Sequence, residues 1–454
     1  MRAATWVLAT ALWGLSALPV LAKTIDIAIG HQSLCTDTYT AGIIVKERHL
    51  LEKHLPHTGK YAGVKYHITW NDYSSGGPIT NEMLAGKLNF GVMGDYPLIV
   101  NGAQFQATHS LRTLYVSGTG YNLKGSGNGI VVPIKSHIYS LSQLRGRTVS
   151  TPVGSASWGM LVKALADLHM SLDSVELENQ SPAVGAANIQ AGKVDAHADF
   201  CPWPQLMVYR GYAREIYDGS ETDVPYLHGL VVRKDFAEKY PQIVVAFIEA
   251  IIDAGNWVNA DPLKASREMA KWTGVEKEVL YLYFSKGGLL TLDPTIKPQW
   301  VKTLEYDHQV LVKANLSPPL DFNKWIDDSF IKRAYAEMGL DYQAQLKKIV
   351  DPAIVNRGLP DEIWQAKKGI TTYPSVKEFL AAVARLEAAH AKLNATYVYD
   401  QKSGLKLFGN MAFYVRDPKG DYAAFLLRDD AKKYAAKVKG TVLPFAAAVR
   451  SATS

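Results

Sequence analysis

The sequence predicts an α/β protein of two lobes, followed by a smaller α+β unit. Three observations lead there. Short apolar strands alternate with helical segments from Thr24 to Ala198, the pattern of parallel sheets with crossover helices. Two blocks share one design, Gly86-Lys-Leu-Asn-Phe-Gly-Val-Met-Gly-Asp-Tyr-Pro97 and Gly192-Lys-Val-Asp-Ala-His-Ala-Asp-Phe-Cys-Pro-Trp-Pro204. Each reads as a helix end, a short strand and a polar loop that opens another helix, so loops at strand C-termini would line a cleft. From Asp235 to about Leu346 the pattern becomes helical, and strand and turn signals return beyond it. A chain of 454 residues exceeds one ordinary core, and 48% hydrophobic residues can fill two or three.

Element by element, Thr24 to Ile29 alternates as a strand, and His31 to Asp37 is a loop. Asp37 or Thr38 can cap a helix running to about Lys53. Val64 to Trp70 is a strand, and Pro78 suits the first turn of the helix after the Asn71–Pro78 turn. Leu88 to Val92 is a strand and Tyr96 to Gly102 begins a helix. Thr148 to Thr151, Val175 to Leu177 and Val194 to Ala198 are strands; helices lead to His169 and cover Val184 to Ala191. Phe236 to Val258, Pro262 to Trp272, Lys277 to Phe284 and Trp325 to Met338 have apolar residues at helical spacing. Lys347 to Tyr373 mixes Pro, Gly and charge and reads as a linker. Val376 to Leu393 reads as a helix, and Thr396 to Phe445 as strands and turns.

The N-terminus carries Arg2, an apolar run from Ala3 to Leu18 and small residues through Ala22. This is the pattern of a cleavable export signal cut after Ala22, which places the mature chain in the periplasm. No Cys follows the apolar run, and no later run reads as a membrane span, so a soluble protein is expected. The net charge of +6 is spread along the chain without a Lys/Arg block, which argues against nucleic acid as a partner. The two cysteines, Cys35 and Cys201, exclude a disulfide framework.

The order and spacing of several pieces over residues 24 to about 330 resemble the substrate-binding proteins of ABC importers, in the nitrate/sulfonate/taurine-like branch. The pieces are the loop His31 to Thr40, the Lys87–Pro97 block, Ser140-Leu-Ser-Gln-Leu-Arg-Gly-Arg-Thr-Val149, Gly154-Ser-Ala-Ser157, Ala191-Gly-Lys-Val-Asp-Ala196 and Gly229-Leu-Val-Val-Arg-Lys-Asp-Phe236. The resemblance implies a type II periplasmic-binding-protein fold over residues 23–350. The second lobe would cover about 117–227, and a linker over 351–375 would lead to a separate domain at 376–454. It implies hinge closure around a small anionic or organosulfur ligand, a permease as partner, and no catalysis. More faintly, Ala395-Thr-Tyr-Val398, Ala423-Ala-Phe425, Asp430-Ala431, Tyr434-Ala435 and Gly440-Thr-Val-Leu-Pro-Phe445 resemble the NosL-type copper-accessory proteins of nitrous oxide reductase. In that comparison Met411 is the nearest match to the family's Met.

On that frame the expected ligand contacts are Gln32 and Ser33 in the first loop, Ser74 and Ser75, and Asp95 and Tyr96. In the second lobe they are Ser155, Ser157 and Trp158 at a helix start, with Asp199 and Trp203. Hydroxyls and amides at a helix N-terminus suit an anion, though Ser155 or Ser157 could equally be a plain N-cap. Asp95 and Asp199 could likewise only cap helices. Gly154-Ser-Ala-Ser-Trp-Gly159 is one residue short of a Gly-x-Ser-x-Gly nucleophile elbow, and Asp199 and His228 follow in triad order. That keeps a serine hydrolase at Ser157 as a contrasting class. Cys35 and Cys201 are expected to approach one cleft from opposite lobes, with Met93 and Met160 near by. They read as packing residues, as a disulfide, or as a soft set for copper that His31 and His228 could join.

Overall fold

The computed structural model describes residues 23–108 and 111–453; the export signal read at residues 1–22 lies outside the described residues. Lobe one is built on five strands: β1 (Thr24–His31), β2 (Lys65–Asp72), β3 (Phe90–Gly94), β4 (Thr113–Asn122) and, much later in the chain, β10 (Tyr226–Arg233). Their order is β2-β1-β3-β10-β4. β1 runs parallel to β2 and β3, whereas β10 is antiparallel to β3 and β4. In β1, Ile25 and Ile27 turn inward while Thr24 and Asp26 face water, the period-2 signal legible in the sequence.

Lobe two holds β5 (Gly129–Pro133), β6 (Thr148–Thr151), β7 (Glu176–Asn179), β8 (Ala196–Asp199) and β9 (Ala213–Asp218), in the order β7-β6-β8-β5-β9. The chain passes between lobes through 123–128 and returns through 219–225. The two passages touch at Gly125 and Gly219. A Cβ on Gly125, whose φ is +106°, would meet the carbonyl oxygens of Val224 and Gly219, and one on Gly219 would overlap the Gly125 carbonyl. Only residues without side chains let the two hinge passages lie against each other.

The expected single helix from about residue 37 to 53 is three short pieces, Thr36–Ala41, Ile43–Glu47 and Leu50–His54; His49, at φ 52°, interrupts the last two. Phe236 to Val258 is likewise split, into Lys234–Lys239 and Pro241–Ala260, because Pro241 lacks the N–H that would continue the first helix. The helix Pro241–Ala260 is long and apolar enough to cross a membrane, against the expectation that no later run is. Here it is largely buried within the protein, where Phe247 packs edge-on to Phe90 at 5.0 Å and to Trp70 at 6.1 Å between ring centres.

The stretch read as a linker is partly structured. Residues 361–373 form the hairpin β11 (Asp361–Gln365) and β12 (Gly369–Tyr373), turned by Gly369 at φ 77°. The hairpin joins β13 (Leu393–Tyr399) and β14 (Lys406–Phe408) in the order β12-β11-β13-β14. The sheet that carries β13 and β14 therefore also takes residues from the stretch read as a linker. A second sheet, β16-β15-β17, holds β15 (Phe413–Arg416), β16 (Tyr422–Phe425) and β17 (Thr441–Pro444). The helix expected over Val376 to Leu393 ends at Ala388, and Leu393 already starts β13.

The tail is docked on the body. Tyr397 donates its hydroxyl to the Glu278 carbonyl at 2.9 Å, and Tyr209 of lobe two donates to the Asn394 carbonyl at 3.2 Å. Lys402 pairs with Glu221 in the second hinge passage at 2.7 Å. The ammonium of Lys406, fully buried, sits 2.7 Å from Glu362 and 2.8 Å from the Ser285 hydroxyl, over the Tyr281 ring.

Candidate ligand cleft and thiol cluster

The carboxyl ends of β1, β3 and β8 and the starts of two helices meet between the lobes. Gln32, Cys35, Ser75, Gly76, Gly94, Pro97, Tyr226 and His228 from lobe one, with Ser155, Ala156 and Phe200 from lobe two, line a space of ≈ 310 Å³. Ser75 stands at the N-cap position of the helix Gly76–Leu84 without a capping bond from its side chain, and Ser155 caps the helix Ala156–Ala166, so two helix N-termini of opposite lobes face one cavity. The amide oxygen of Gln32 is buried there without a hydrogen-bond partner.

Ser155 is a true N-cap, its Oγ accepting from the Trp158 N–H at 3.3 Å. Ser157 lies behind it, fully buried, with its Oγ 2.8 Å from that of Ser155 and 3.5 Å from that of Thr151. Ser33 is turned away, its hydroxyl donating to Asp72 at 2.6 Å, and Ser74 faces solvent. Trp158 is buried edge-on to Tyr96 at 6.3 Å, a contact that joins the lobes. Trp203 is half-buried at the start of the helix Trp203–Tyr209.

Asp95 and Tyr96 line a second space between the lobes, ≈ 330 Å³, with Met160, Lys163 and Asp307. Asp95 accepts from the Tyr96 and Leu227 N–H groups at 2.8 and 3.0 Å, which ties the helix start to β10. Burial pushes its carboxyl up to about 7 despite those bonds.

The hydrolase triad does not assemble. Asp199 binds His197 at 2.9 Å, and His197 reaches the Ser150 hydroxyl at 2.8 Å, all three fully buried inside lobe two. His228 is elsewhere, at the thiols.

The two cysteines do meet. The Sγ atoms of Cys35 and Cys201 are 3.3 Å apart, and Nε2 of His228 is 3.5 Å from the first and 3.9 Å from the second. They are free thiols. Burial, reinforced by the Cys35 thiol and Asp37, pushes the Cys201 thiol well above its ordinary value. Burial also drives His228 down to about 3, so its imidazole is neutral. The Tyr226 hydroxyl lies 3.6 Å from the Cys201 sulfur, and Asp37 3.7 Å from Nδ1 of His228. Burial lifts the Asp37 carboxyl to about 6, against the hydrogen bond donated by Asn122 at 2.6 Å.

The methionines expected beside the cysteines face elsewhere. The Met93 sulfur accepts the Thr80 hydroxyl at 3.8 Å, and Met160 belongs to the core of lobe two. His31 packs edge-on to Trp70 at 5.6 Å instead of joining the thiols, and burial lowers it to about 4. Met411 lines a cavity of ≈ 530 Å³ between the tail and lobe two, whose lining contains neither Cys nor His. Gly76, Gly94, Phe200 and Tyr226 escaped the sequence reading. Phe200 lies inside the second block, between Asp199 and Cys201, and was within its reach.

Two lobes on mixed sheets, each with a parallel core expected from the sequence and antiparallel strands (β10 in one, β5 and β9 in the other) that it does not predict, two hinge passages and a cleft at the strand ends define the class of bilobal binding proteins. The chain belongs to the NMT1-like family, whose profile matches residues 26–274, more than half of its length. It is 28% identical over 198 residues to the taurine-binding periplasmic protein of Escherichia coli strain K12, spanning 43% of this chain and 58% of that one. It is 26% identical over 277 residues to a Bacillus subtilis strain 168 protein assigned to aliphatic-sulfonate binding, spanning 61% of this chain and 80% of that one. Among solved structures, the alkanesulfonate-binding protein SsuA of Xanthomonas axonopodis pv. citri, bound to MOPS, superimposes with a TM-score of 0.56 at 21% identity. That match covers 68% of this chain and all, 100%, of the other.

Proposed function

We propose that this chain is the periplasmic solute-binding component of an ABC importer, and that it captures a small sulfonate or a related anion by closure of its lobes. The observation that carries the anion is the convergence on one cavity of two helix N-termini, one with Ser75 at its N-cap position and one capped by Ser155. No Lys or Arg lines that cavity, so N–H and hydroxyl donors would have to neutralise the charge. The aromatic walls Phe200 and Tyr226 suit the apolar part of an organosulfur ligand. Relatives that carry sulfonate and taurine in their names support the class of ligand, and a permease is the implied partner. The action is stoichiometric capture without turnover.

Taurine, a series of alkanesulfonates, nitrate and sulfate, titrated into the mature chain by calorimetry and thermal shift, test this reading. One or more sulfonates should raise the melting temperature in proportion to the logarithm of their concentration. No shift with any of them overturns it.

A further inference from the structure

We propose that Cys35, Cys201 and His228 form a Cu(I) site that clasps the two lobes, with two ligands on lobe one and the third on lobe two. The proposal does not rest on the anion reading, since the metal site is defined by its own three atoms.

The argument begins with geometry. Sulfur and imidazole ligands of a first-row d10 ion lie about 2.3 and 2.0 Å from it, which places ligand atoms about 3.5–4 Å from one another. The three separations here, 3.3, 3.5 and 3.9 Å, span that range with only the sulfur pair slightly short. The side chains come from three separate parts of the chain: the loop after β1, the loop after β8, and β10 itself. Nothing in local sequence forces them together, and all three are buried.

The donor set selects the ion. Thiolate is a soft ligand that favours Cu(I), and imidazole accepts it as well. Among the described residues no carboxylate or further imidazole completes the cluster to four. Zn(II) takes four ligands in a structural site, whereas Cu(I) is content with two or three. The imidazole reaches the sulfurs through Nε2, leaving Nδ1 without a hydrogen-bond partner and facing Asp37. A carboxylate behind a ligating imidazole is the arrangement that orients it and raises its basicity.

The site also has an entrance and a moving part. Cys35 and His228 line the interlobe cavity, so an ion can reach them while the lobes are apart. Closure then brings Cys201 and completes the set. Cu(I) would bind the closed form far better than the open one, and that difference is what allows a ligand to shift a conformational equilibrium.

The test uses the full mature chain, reduced and held under argon, with Cu(I) supplied against a chromophoric chelator such as bicinchoninate. One Cu(I) per chain is expected, with X-ray absorption showing two sulfur scatterers and one nitrogen, and with a smaller radius of gyration in solution scattering than the metal-free protein. Cys201→Ser should lose at least about a hundredfold in affinity together with the compaction, and His228→Gln about tenfold or more. The stoichiometry and the absorption spectrum are read on the unmodified chain, so they hold even if a variant misfolds. Coordination by nitrogen and oxygen alone, full binding in the Cys35→Ser/Cys201→Ser protein, uptake of Zn(II) but not Cu(I), or a Cys35–Cys201 disulfide with no Cu(I) uptake after its reduction would each overturn the proposal.

Discussion

Tyr96 of lobe one lies against Gly159 of lobe two so closely that a Cβ on the glycine would overlap the phenol ring. The approach of the two lobes at this point depends on that missing side chain. Gly159→Ala should therefore hold the lobes apart or displace Tyr96, at an overpacking cost of about 1–3 kcal/mol. Affinity for an alkanesulfonate should fall by roughly tenfold or more, and solution scattering should show a larger radius of gyration in the presence of ligand. Ligand affinity equal to that of the unmodified chain would show that the contact does not gate closure.

Ser155 and Ser157 separate two effects. Ser155 caps a helix and faces the cleft, so Ser155→Ala should lower stability by about 1 kcal/mol and also weaken a bound anion. Ser157 is enclosed behind it, and Ser157→Ala should alter stability while leaving anion affinity essentially unchanged. Calorimetry paired with chemical denaturation distinguishes the two; equal losses of affinity would bring Ser157 to the ligand.

Asp361 governs a pH dependence. Burial raises its carboxyl from an ordinary 3.8 to about 7 in the folded chain. A carboxyl raised on folding stabilises fully below the unfolded value, and that contribution is lost as pH rises from about 4 through about 7. Asp361→Asn mimics the protonated form. Its stability advantage over the unmodified chain should be nil near pH 4 and should grow by on the order of 1.4 kcal/mol per pH unit up to about pH 7, then stay level. Denaturation curves at several pH values read this directly, and a difference independent of pH would contradict it.

Lys406 is the buried cation under the tail. Lys406→Met leaves Glu362 enclosed with only the Tyr281 hydroxyl, at 3.4 Å, to satisfy it, which should cost about 3–5 kcal/mol. Lys406→Met combined with Glu362→Leu removes both charges and should recover most of that loss. Urea denaturation of the single and double variants checks the pair, and an undiminished single variant would mean that the Tyr281 hydroxyl alone satisfies Glu362.

The alternating lobes were legible because period-2 strands and helix-opening loops leave local marks, as at Thr24–Ile29 and Leu88–Pro97. The hairpin at 361–373 was not, since its Lys-Lys-Gly turn and flanking prolines look like a linker until β13 supplies a partner. The approach of Cys35 to Cys201 followed from the two-lobe frame. The sequence lets His31 and His228 both join the thiols, and only the register of β10 against β3, which the sequence does not fix, decides that His228 does. Met93 shows the converse: nearness in sequence to a cleft loop does not say which side of the strand its side chain takes.

The tail grips the body through Tyr397 to Glu278, Asn394 to Tyr209 on lobe two, Lys406 to Ser285, and Lys402 to Glu221 on a hinge passage. A rider anchored to lobe two and to the passage that joins the lobes sits beside the very segment about which they would turn. Any rotation that carries that passage away from the tail would strain the pair of Lys402 with Glu221.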